Sequence, residues 1–282
     1  MVSKDQGGEM YGTGTVHYET FRNGSTTYFN SSRFFPESVR RDVFALYGFV
    51  RVADNFVDSV PQDADGFHRF VDHYHRALER GTDDDPIIGA YVELSRRKRF
   101  DPKWTDAFLR SMAMDLTRKQ HRTLPESLAY IYGSAEVIGL FMAQIMDLDS
   151  SAREAAQMLG RAMQYINFIR DIAEDNSLGR IYLPISETSL ESLDEAYLRE
   201  NSEEFVTFIH SQLQRYMTWQ AEAEAGYPLI PRRYRIPIKT AGDMYKWTGQ
   251  QIAENPFIVF RRKVKPNRAR IVFSGLFNAI YC

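Results

Sequence analysis

Hydrophobic positions recur with a helical period along most of the chain. The long segments contain few Pro, Gly or Asn residues, and alternating β-branched runs are nearly absent. The predicted helices run over residues 38–60, 65–79, 103–119, 125–146, 152–174, 190–224 and 238–254. Breaker-rich loops lie near Gly81, Asn176 and Pro231, and none is long enough to be an interdomain linker. The pattern therefore predicts an all-α fold made of a single domain.

The first predicted helix carries a line of aromatic and charged side chains. This line consists of Phe44, Tyr47, Arg51, Asp54 and Asp58, spaced three or four apart on one helix face. Asp54 and Asp58 lie one turn apart, about 6 Å along the axis. Two carboxylates at that spacing repel each other unless a cation lies between them.

A second line of oxygen-bearing side chains follows more than a hundred residues later. It consists of Gln164, Asn167, Asp171 and Asp175, with Arg170 and Glu174 beside it. Mg²⁺ takes one or two carboxylates and completes its shell with waters and substrate phosphates. Two facing Asp lines therefore predict a diphosphate site. A solvated surface would explain either line alone, but it gives no reason for Tyr47, Gln164 and Asn167 in the same register.

These motifs resemble those of the squalene/phytoene synthase family, head-to-head prenyltransferases with an isoprenoid-synthase helical bundle around a central apolar cavity. The most specific segments are YGFVRVADNFVD and QYINFIRDIAEDNSLGRIYLP, within a resemblance that covers about residues 18–272. We therefore expect an N-terminal extension at 1–17 and a family domain at 18–282. The first motif departs from the family's DDxxD because Asn55 replaces the second Asp. We expect this change to weaken metal binding without abolishing it.

The resemblance also implies roles for particular side chains. The implied ligands of two or three Mg²⁺ ions are Asp54, Asp58, Asn167, Asp171 and Asp175. The same four Asp residues with Tyr47 and Arg51 form the implied catalytic set. Further implied substrate contacts are Ser25, Tyr28, Phe44, Gln164, Asn167, Arg170, Tyr245 and Arg262. NADPH is possible but not favoured, because the chain has no GxGxxG fingerprint, although squalene-forming members bind NADPH without one.

The implied reaction is the head-to-head condensation of two geranylgeranyl or farnesyl diphosphates. It proceeds through a cyclopropyl diphosphate to a phytoene- or squalene-type hydrocarbon and releases diphosphate. A head-to-tail prenyltransferase or a terpene cyclase would share the Asp lines, but not the Tyr47/Arg51 prefix or the GRIYLP segment. A non-catalytic prenyl-lipid binder or assembly protein on the same fold would be expected to lose an Asp, and all four are present.

Three features leave alternatives open. The Phe44 ring either closes the far end of the substrate pocket, opposite the small Ser32, or packs in the core. Gly133 and Gly139 admit either a substrate chain or a neighbouring helix. Asp115 is either an acid that the family also has or an ordinary surface acid.

Composition limits the other possibilities. The 35 Lys and Arg residues against 37 Asp and Glu give a net charge of −2, which provides no bulk attraction to nucleic acid. No apolar run was expected to span a membrane, and the single cysteine, Cys282, cannot form an internal disulfide, which favours a cytoplasmic location. The apolar segment IVFSGLFNAIYC predicts a packed last helix, with peripheral membrane contact as the alternative. Nothing in the sequence indicates the oligomeric state.

The two Asp lines generate the first prediction. Asp58→Ala, Asp171→Ala and the double variant should abolish turnover of prenyl diphosphates and keep the helical fold, because each change removes an oxygen from the expected metal and diphosphate site. Product formation with Mg²⁺ and circular dichroism measure the two properties. Full activity in the double variant would contradict the site.

Overall fold

The structure, a computed structural model, describes residues 35–281. Its first six helices are α1 (Glu37–Asp58), α2 (Ala64–Arg80), α3 (Pro86–Lys98), α4 (Pro102–Thr117), α5 (Leu124–Ile131) and α6 (Val137–Ile145). The others are α7 (Arg153–Arg170), α8 (Ile172–Ser177), α9 (Glu195–Glu200), α10 (Ser202–Glu224), α11 (Arg232–Glu254), α12 (Ile258–Arg261) and α13 (Arg268–Tyr281). Short 3₁₀ turns lie at Ser150–Ala152, Ile185–Glu187 and Tyr227–Leu229. The described part contains no strand, only an isolated bridge between Gln120 and Ile181. The all-α prediction is confirmed.

Several predicted boundaries need correction. Helix α3 was missed because the acidic segment before it was interpreted only as a loop. Asp85 in that segment caps the helix by accepting from the amides of Ile87 and Ile88, and Pro86 occupies the first turn. The helix predicted at 152–174 divides at Asp171 into α7 and α8, and the one predicted at 190–224 is replaced by α9 and α10. Residues 1–34, with Ser25, Tyr28, Ser32 and the predicted extension, lie outside the described residues, as does Cys282.

The helix predicted at 125–146 is continuous but contains a π turn, Tyr132–Glu136, between α5 and α6. Two glycines let its neighbours approach closely. A Cβ on Gly133 would lie 2.2 Å from the carbonyl oxygen of Ala107 in α4, and one on Gly139 would lie 2.0 Å from that of Ala156 in α7. Close helix packing therefore accounts for both glycines.

The same segment, Leu124–Ile145, is apolar and long enough to cross a membrane, with a mean hydropathy of 1.3. The expectation that no run reaches that length was therefore wrong. However, 56% of this window is buried inside the protein. A core helix of a soluble protein has this combination of composition and burial, and the helix packs against α4 and α7.

The core is a continuous layer of apolar side chains between the helices. Helix α7 packs along α10 and against α6, while α1 contacts α3, α4 and α6. Aromatic rings fill the centre: Phe49 of α1 stacks on Tyr91 of α3 at 3.9 Å between ring centroids, and the Phe141 ring meets Tyr91 edge-on. This packing fixes α1, which carries the first predicted Asp line, and α7, from which the second line continues into α8, on the same framework.

Gly139 generates a stability prediction. Gly139→Ala should lower the free energy of unfolding by about 2 kcal/mol, because its Cβ would collide with main chain rather than with a flexible side chain. Chemical denaturation measures the change. Gly249→Ala in α11 is the matched control: its Cβ would lie 3.3 Å from the Tyr216 ring, so stability should change by less than about 1 kcal/mol. Equal effects of the two substitutions would contradict the close approach.

Candidate active site

The first Asp line ends beside two arginines. Arg51 donates to Asp54 within α1, with 2.6 Å between Nη1 and Oδ2. Asp58 at the end of α1 accepts from Arg180, which lies 122 residues further along the chain, with 2.6 Å between Oδ1 and Nη1. Arg180 also donates to the carbonyl oxygen of Val57 at 2.5 Å. The end of α1 is thereby fixed by a side chain from the region of the second motif.

Local geometry explains how Arg180 reaches α1. Gly179 adopts a φ of +70°, a conformation that suits glycine, directly after α8 ends. The chain then turns back, and the Arg180 amide donates to the carbonyl oxygen of Asp175 at 2.8 Å. Arg180 therefore contacts the second Asp line with its backbone and the first with its guanidinium. This arrangement brings the two predicted lines together.

The second Asp line has its own cations. Arg170 donates to both oxygens of Asp171, at 2.8 and 2.5 Å. Lys263, which follows α12, lies 3.3 Å from Asp171 and also contacts Glu174. The pKa of Lys265 is lowered by burial and by the nearby charges of Lys263 and Arg170. Acidic and basic side chains are thus concentrated in one region.

The carboxylates remain crowded despite these cations. The pKa of Asp54 is raised to about 7, mainly by burial and then by the charge of Asp58. The pKa of Asp175 is well above its ordinary value, first because of burial and then because of Asp171, with a smaller contribution from Asp58. Asp58 therefore acts on acids of both lines. A bound cation would relieve this repulsion.

An apolar cavity of about 280 Å³ is bordered by residues of both motifs. Its wall includes Val43, Leu46, Tyr47 and Val50 of α1, small side chains and glycines of the π turn, α6 and α7, and Pro237, Ile238 and Ala241 of α11. Gln164 and Asn167 of the second line also face it. The cavity thus has polar groups from both motifs on an otherwise apolar wall. A more open groove of about 590 Å³ beside α4 contains none of the predicted site residues.

Two predicted substrate contacts, Phe44 and Arg262, do not line the cavity. Phe44 is half-buried and packs against the core, and it is not among the residues that line the cavity. The cavity-facing side of α1 is centred on Val43, Leu46 and Val50, roughly 100° around the helix from Phe44. Arg262 and Lys263 are both exposed, and Lys263 is the one that contacts the second Asp line.

Two other predicted contacts lie where the two motifs meet. Burial raises the pKa of Tyr47 to about 12, and Arg51, Asp54 and Tyr245 also act on it. Tyr245 of α11 is buried and acts electrostatically on Arg170 as well. Tyr245 therefore lies between the first and second motifs. The structure brings together all the described site residues of the prediction except Phe44 and Arg262.

The donor set suits a magnesium–diphosphate complex better than a metal held by protein alone. Within residues 35–281, no three Asp, Glu, His or Cys side chains form a ready-made metal cluster. Buried Asn167 Oδ1 has no hydrogen-bond partner, and an unpaired buried amide oxygen is costly unless a ligand binds it. Mg²⁺ characteristically uses few protein oxygens and completes its shell with water and phosphate. The oxygens present fit that pattern.

Helical architecture, an apolar cavity and facing acidic motifs define the class of all-α isoprenoid synthases. The model of the squalene/phytoene synthase family matches residues 21–270, and the chain belongs to this family. The chain is 29% identical over 244 residues to the 15-cis-phytoene synthase of Enterobacter agglomerans, covering 82% of this chain and 83% of that one. It is 30% identical to the phytoene synthase of Cereibacter sphaeroides, covering 92% and 77%.

Solved structures agree on the fold. A dehydrosqualene synthase in complex with a ligand superposes with a TM-score of 0.84 at 20% identity, over 97% of both chains. A squalene synthase from Alicyclobacillus acidocaldarius superposes with a TM-score of 0.75 at 20% identity, over 92% of this chain and 97% of that one. The protein is therefore an enzyme of the squalene/phytoene synthase family, whose reaction is head-to-head prenyl condensation.

Sequence reasoning missed two residues of the site and left the role of a third open. Arg180 lies in the GRIYLP segment, where the glycine before it was the available signal. Lys263 follows a run of basic residues that gave no indication of a partner. Asp115, for which a surface position was left open, is buried and accepts from the hydroxyls of Tyr130 and Tyr182 at 2.6 and 2.7 Å. Its helical line with Ser111, Ala107 and Phe108 was a weak signal of burial.

The crowded carboxylates generate a pH prediction. Because the pKa of Asp54 is higher in the folded protein than its ordinary value of 3.8, the folded state binds this proton more tightly than the unfolded state does. Ionised Asp54 therefore destabilises the metal-free protein above about pH 7. Asp54→Asn should unfold at a higher temperature than the wild type there, by a few degrees. The gap should close as the pH falls towards 4.

Thermal unfolding in a chelator, followed by circular dichroism at several pH values, tests this prediction. Asp42→Asn is the control, because Asp42 holds Arg97 through two hydrogen bonds of 2.7 and 3.1 Å, and its loss should lower stability at neutral pH. A destabilised Asp54→Asn at pH 8 would show that the charge of Asp54 is fully compensated without metal.

Proposed function

We propose that this enzyme condenses two molecules of geranylgeranyl diphosphate head to head into phytoene, with Mg²⁺ and without NADPH. The observation that carries the proposal is the Arg180 bridge, which links Asp58 of the first motif to the backbone of Asp175 in the second. Tyr47, Gln164 and Asn167 of the same two motifs line an apolar cavity. A site for charge next to a site for hydrocarbon suits a substrate with a diphosphate head and a prenyl tail. The names of the relatives support phytoene as the product.

The cationic side chains would bind and orient the diphosphate. Arg51 and Arg180 lie at the first motif, and Arg170 and Lys263 at the second. Mg²⁺ held by oxygens of Asp54, Asp58, Asn167, Asp171 and Asp175 would supply the positive charge that stabilises the departing diphosphate. The protein would thus neutralise the negative charge of the diphosphate as the C–O bond within the first substrate breaks.

The cavity would protect the allylic cation that remains. The 2,3 double bond of the second substrate attacks C1 of this cation, and loss of a proton closes the cyclopropane ring of the intermediate. Side chains such as Leu46, Val50 and Ile138 make the wall apolar and exclude the water that would trap the cation as an alcohol. Tyr47, whose raised pKa keeps its hydroxyl protonated, and Tyr245 would turn their aromatic rings towards the reacting carbons.

The last step of the reaction determines whether the product is of the phytoene or the squalene type. The second diphosphate leaves, the cyclopropyl carbon skeleton rearranges, and loss of a proton gives the central double bond of phytoene. Squalene would require hydride from NADPH instead. We propose proton loss, with the second diphosphate as the proton acceptor, because that route needs no additional reductant.

Product analysis tests the proposal. The purified protein should convert geranylgeranyl diphosphate to phytoene in the presence of Mg²⁺, use farnesyl diphosphate less efficiently, and give the same product with or without NADPH. Leu46→Phe should lower the use of the longer substrate about tenfold relative to the shorter one, because it fills the cavity wall. Phe44→Ala, outside the cavity lining, is the matched control and should leave the ratio unchanged.

The rival functions give different results. A head-to-tail prenyltransferase would form longer prenyl diphosphates, and a cyclase would consume one substrate molecule without coupling. A prenyl-lipid binder would bind the substrate and return it unchanged. Squalene formed on addition of NADPH would overturn the proposed last step but leave the head-to-head condensation in place.

A further inference from the structure

The C-terminal helix α13 exposes large apolar side chains on the face where a surface helix usually exposes polar ones. Its outer face presents a stripe of large apolar side chains, namely Val272, Phe273, Leu276, Phe277, Ile280 and Tyr281. Phe273 is 73% exposed and Ile280 is 69% exposed. Each lone apolar residue on a surface is ordinary, but six on one helix face form a continuous patch. The packed-helix prediction therefore describes only the inner face of α13, and the outer face has no partner in the described part of the chain.

The inner face of α13 is small and polar. Asn278 is buried and donates to Asp243 of α11 at 2.9 Å and to Thr240 at 3.2 Å. Gly275 and Ile271 complete this contact. Because these hydrogen bonds satisfy the buried Asn278, α13 has a defined orientation on α11. The outward position of the phenylalanines is therefore a consequence of specific packing.

Basic residues lie at both ends of the apolar stripe. Residues 255–282 contain Arg261, Arg262, Lys263, Lys265, Arg268 and Arg270 and no Asp or Glu, in a chain whose net charge is −2. At the other end of the helix, Arg232 donates to the carbonyl oxygen of Ala279 at 2.8 Å, with Arg233 next to it. Both ends of the stripe therefore carry positive charge. An apolar helix face with basic flanks is the pattern of helices that lie in a membrane interface.

We propose that α13 docks the enzyme on the surface of a bilayer that contains anionic lipids, with the apolar stripe inserted among the headgroups. A second copy of the chain fits this face less well. A two-fold dimer would place each stripe against its own copy, and the basic residues at both ends would then face each other in either orientation. Lipid phosphates complement those charges. This proposal does not depend on the identity of the substrate.

Vesicle flotation of the full chain tests the proposal. The protein should float with vesicles of phosphatidylcholine and phosphatidylglycerol, more weakly at high salt and more weakly with phosphatidylcholine alone. Phe273→Ser/Ile280→Ser should lower the partition coefficient at least about tenfold. Arg261→Gln/Arg268→Gln should lower it about fivefold per charge on the anionic vesicles only. Tyr132→Ser/Met217→Ser, which removes two exposed apolar side chains elsewhere, should bind like the wild type.

Circular dichroism verifies that each variant folds, and sedimentation velocity measures the oligomeric state without lipid. The wild type failing to float, or Phe273→Ser/Ile280→Ser floating like the wild type, would overturn the proposal. So would a wild-type dimer that this variant dissociates while neither protein binds vesicles, because the stripe would then be a self-interface. The inactive Asp58→Ala/Asp171→Ala variant should still float, which separates this proposal from the proposed function.

Discussion

The ion pair between Asp58 and Arg180 connects the two halves of the site. Asp58 ends the first long helix, and Arg180 follows the turn after the second motif. Several carboxylates on neighbouring helices would repel each other without cations between them. Arg180 supplies one such cation and adds a hydrogen bond to the backbone of Val57. A partly buried pair of this kind is costly to break, because removing one partner leaves the other charge desolvated.

A buried polar network holds the chain around Arg180 in place. Asp115 of α4 accepts from Tyr182, two residues after Arg180, and from Tyr130 of α5. Its backbone carbonyl accepts from Gln62 in the loop that follows α1. His121 stacks on Tyr182, and burial lowers its pKa, which keeps the ring neutral in this apolar position. These contacts attach α4 and α5 to both motifs, so the acidic site depends on residues outside the two Asp lines.

Periodicity and spacing predicted the helices and the two Asp lines because both are local properties. A step of three or four residues determines which side chains share a helix face, whatever the helix packs against. The partners of those faces are not local. Neither the contact of Asp58 with Arg180, 122 positions further along the chain, nor the contact of Lys263 with Asp171 leaves a periodic signal. Helix α3 was missed for another reason, because its Asp-rich cap has the composition of a loop.

The predicted line on α1 and the observed cavity lining differ most at Phe44. The first predicted line was extended from Asp54 back to Phe44 in steps of three or four residues. The cavity instead borders a neighbouring side of α1, at Val43, Leu46 and Val50. A helix face is broad, and spacing alone does not determine which part of it borders empty space. That information depends on the packing of α6, α7 and α11, which close the other sides.

The glycine contact between α6 and α7 has a consequence for how substrate range can diverge. Where Gly139 meets Ala156, the cavity is bounded by two peptide backbones with no side chain between them. A backbone wall has the same dimensions whatever sequence the helices carry, so it cannot be trimmed or enlarged by point substitution. Changes in the volume available to a hydrocarbon chain must therefore arise where side chains form the lining, as at Leu46 of α1, Ile138 of α6 and Ile238 of α11. This part of the pocket therefore keeps a constant width, whereas substitutions can narrow or widen the parts that side chains line.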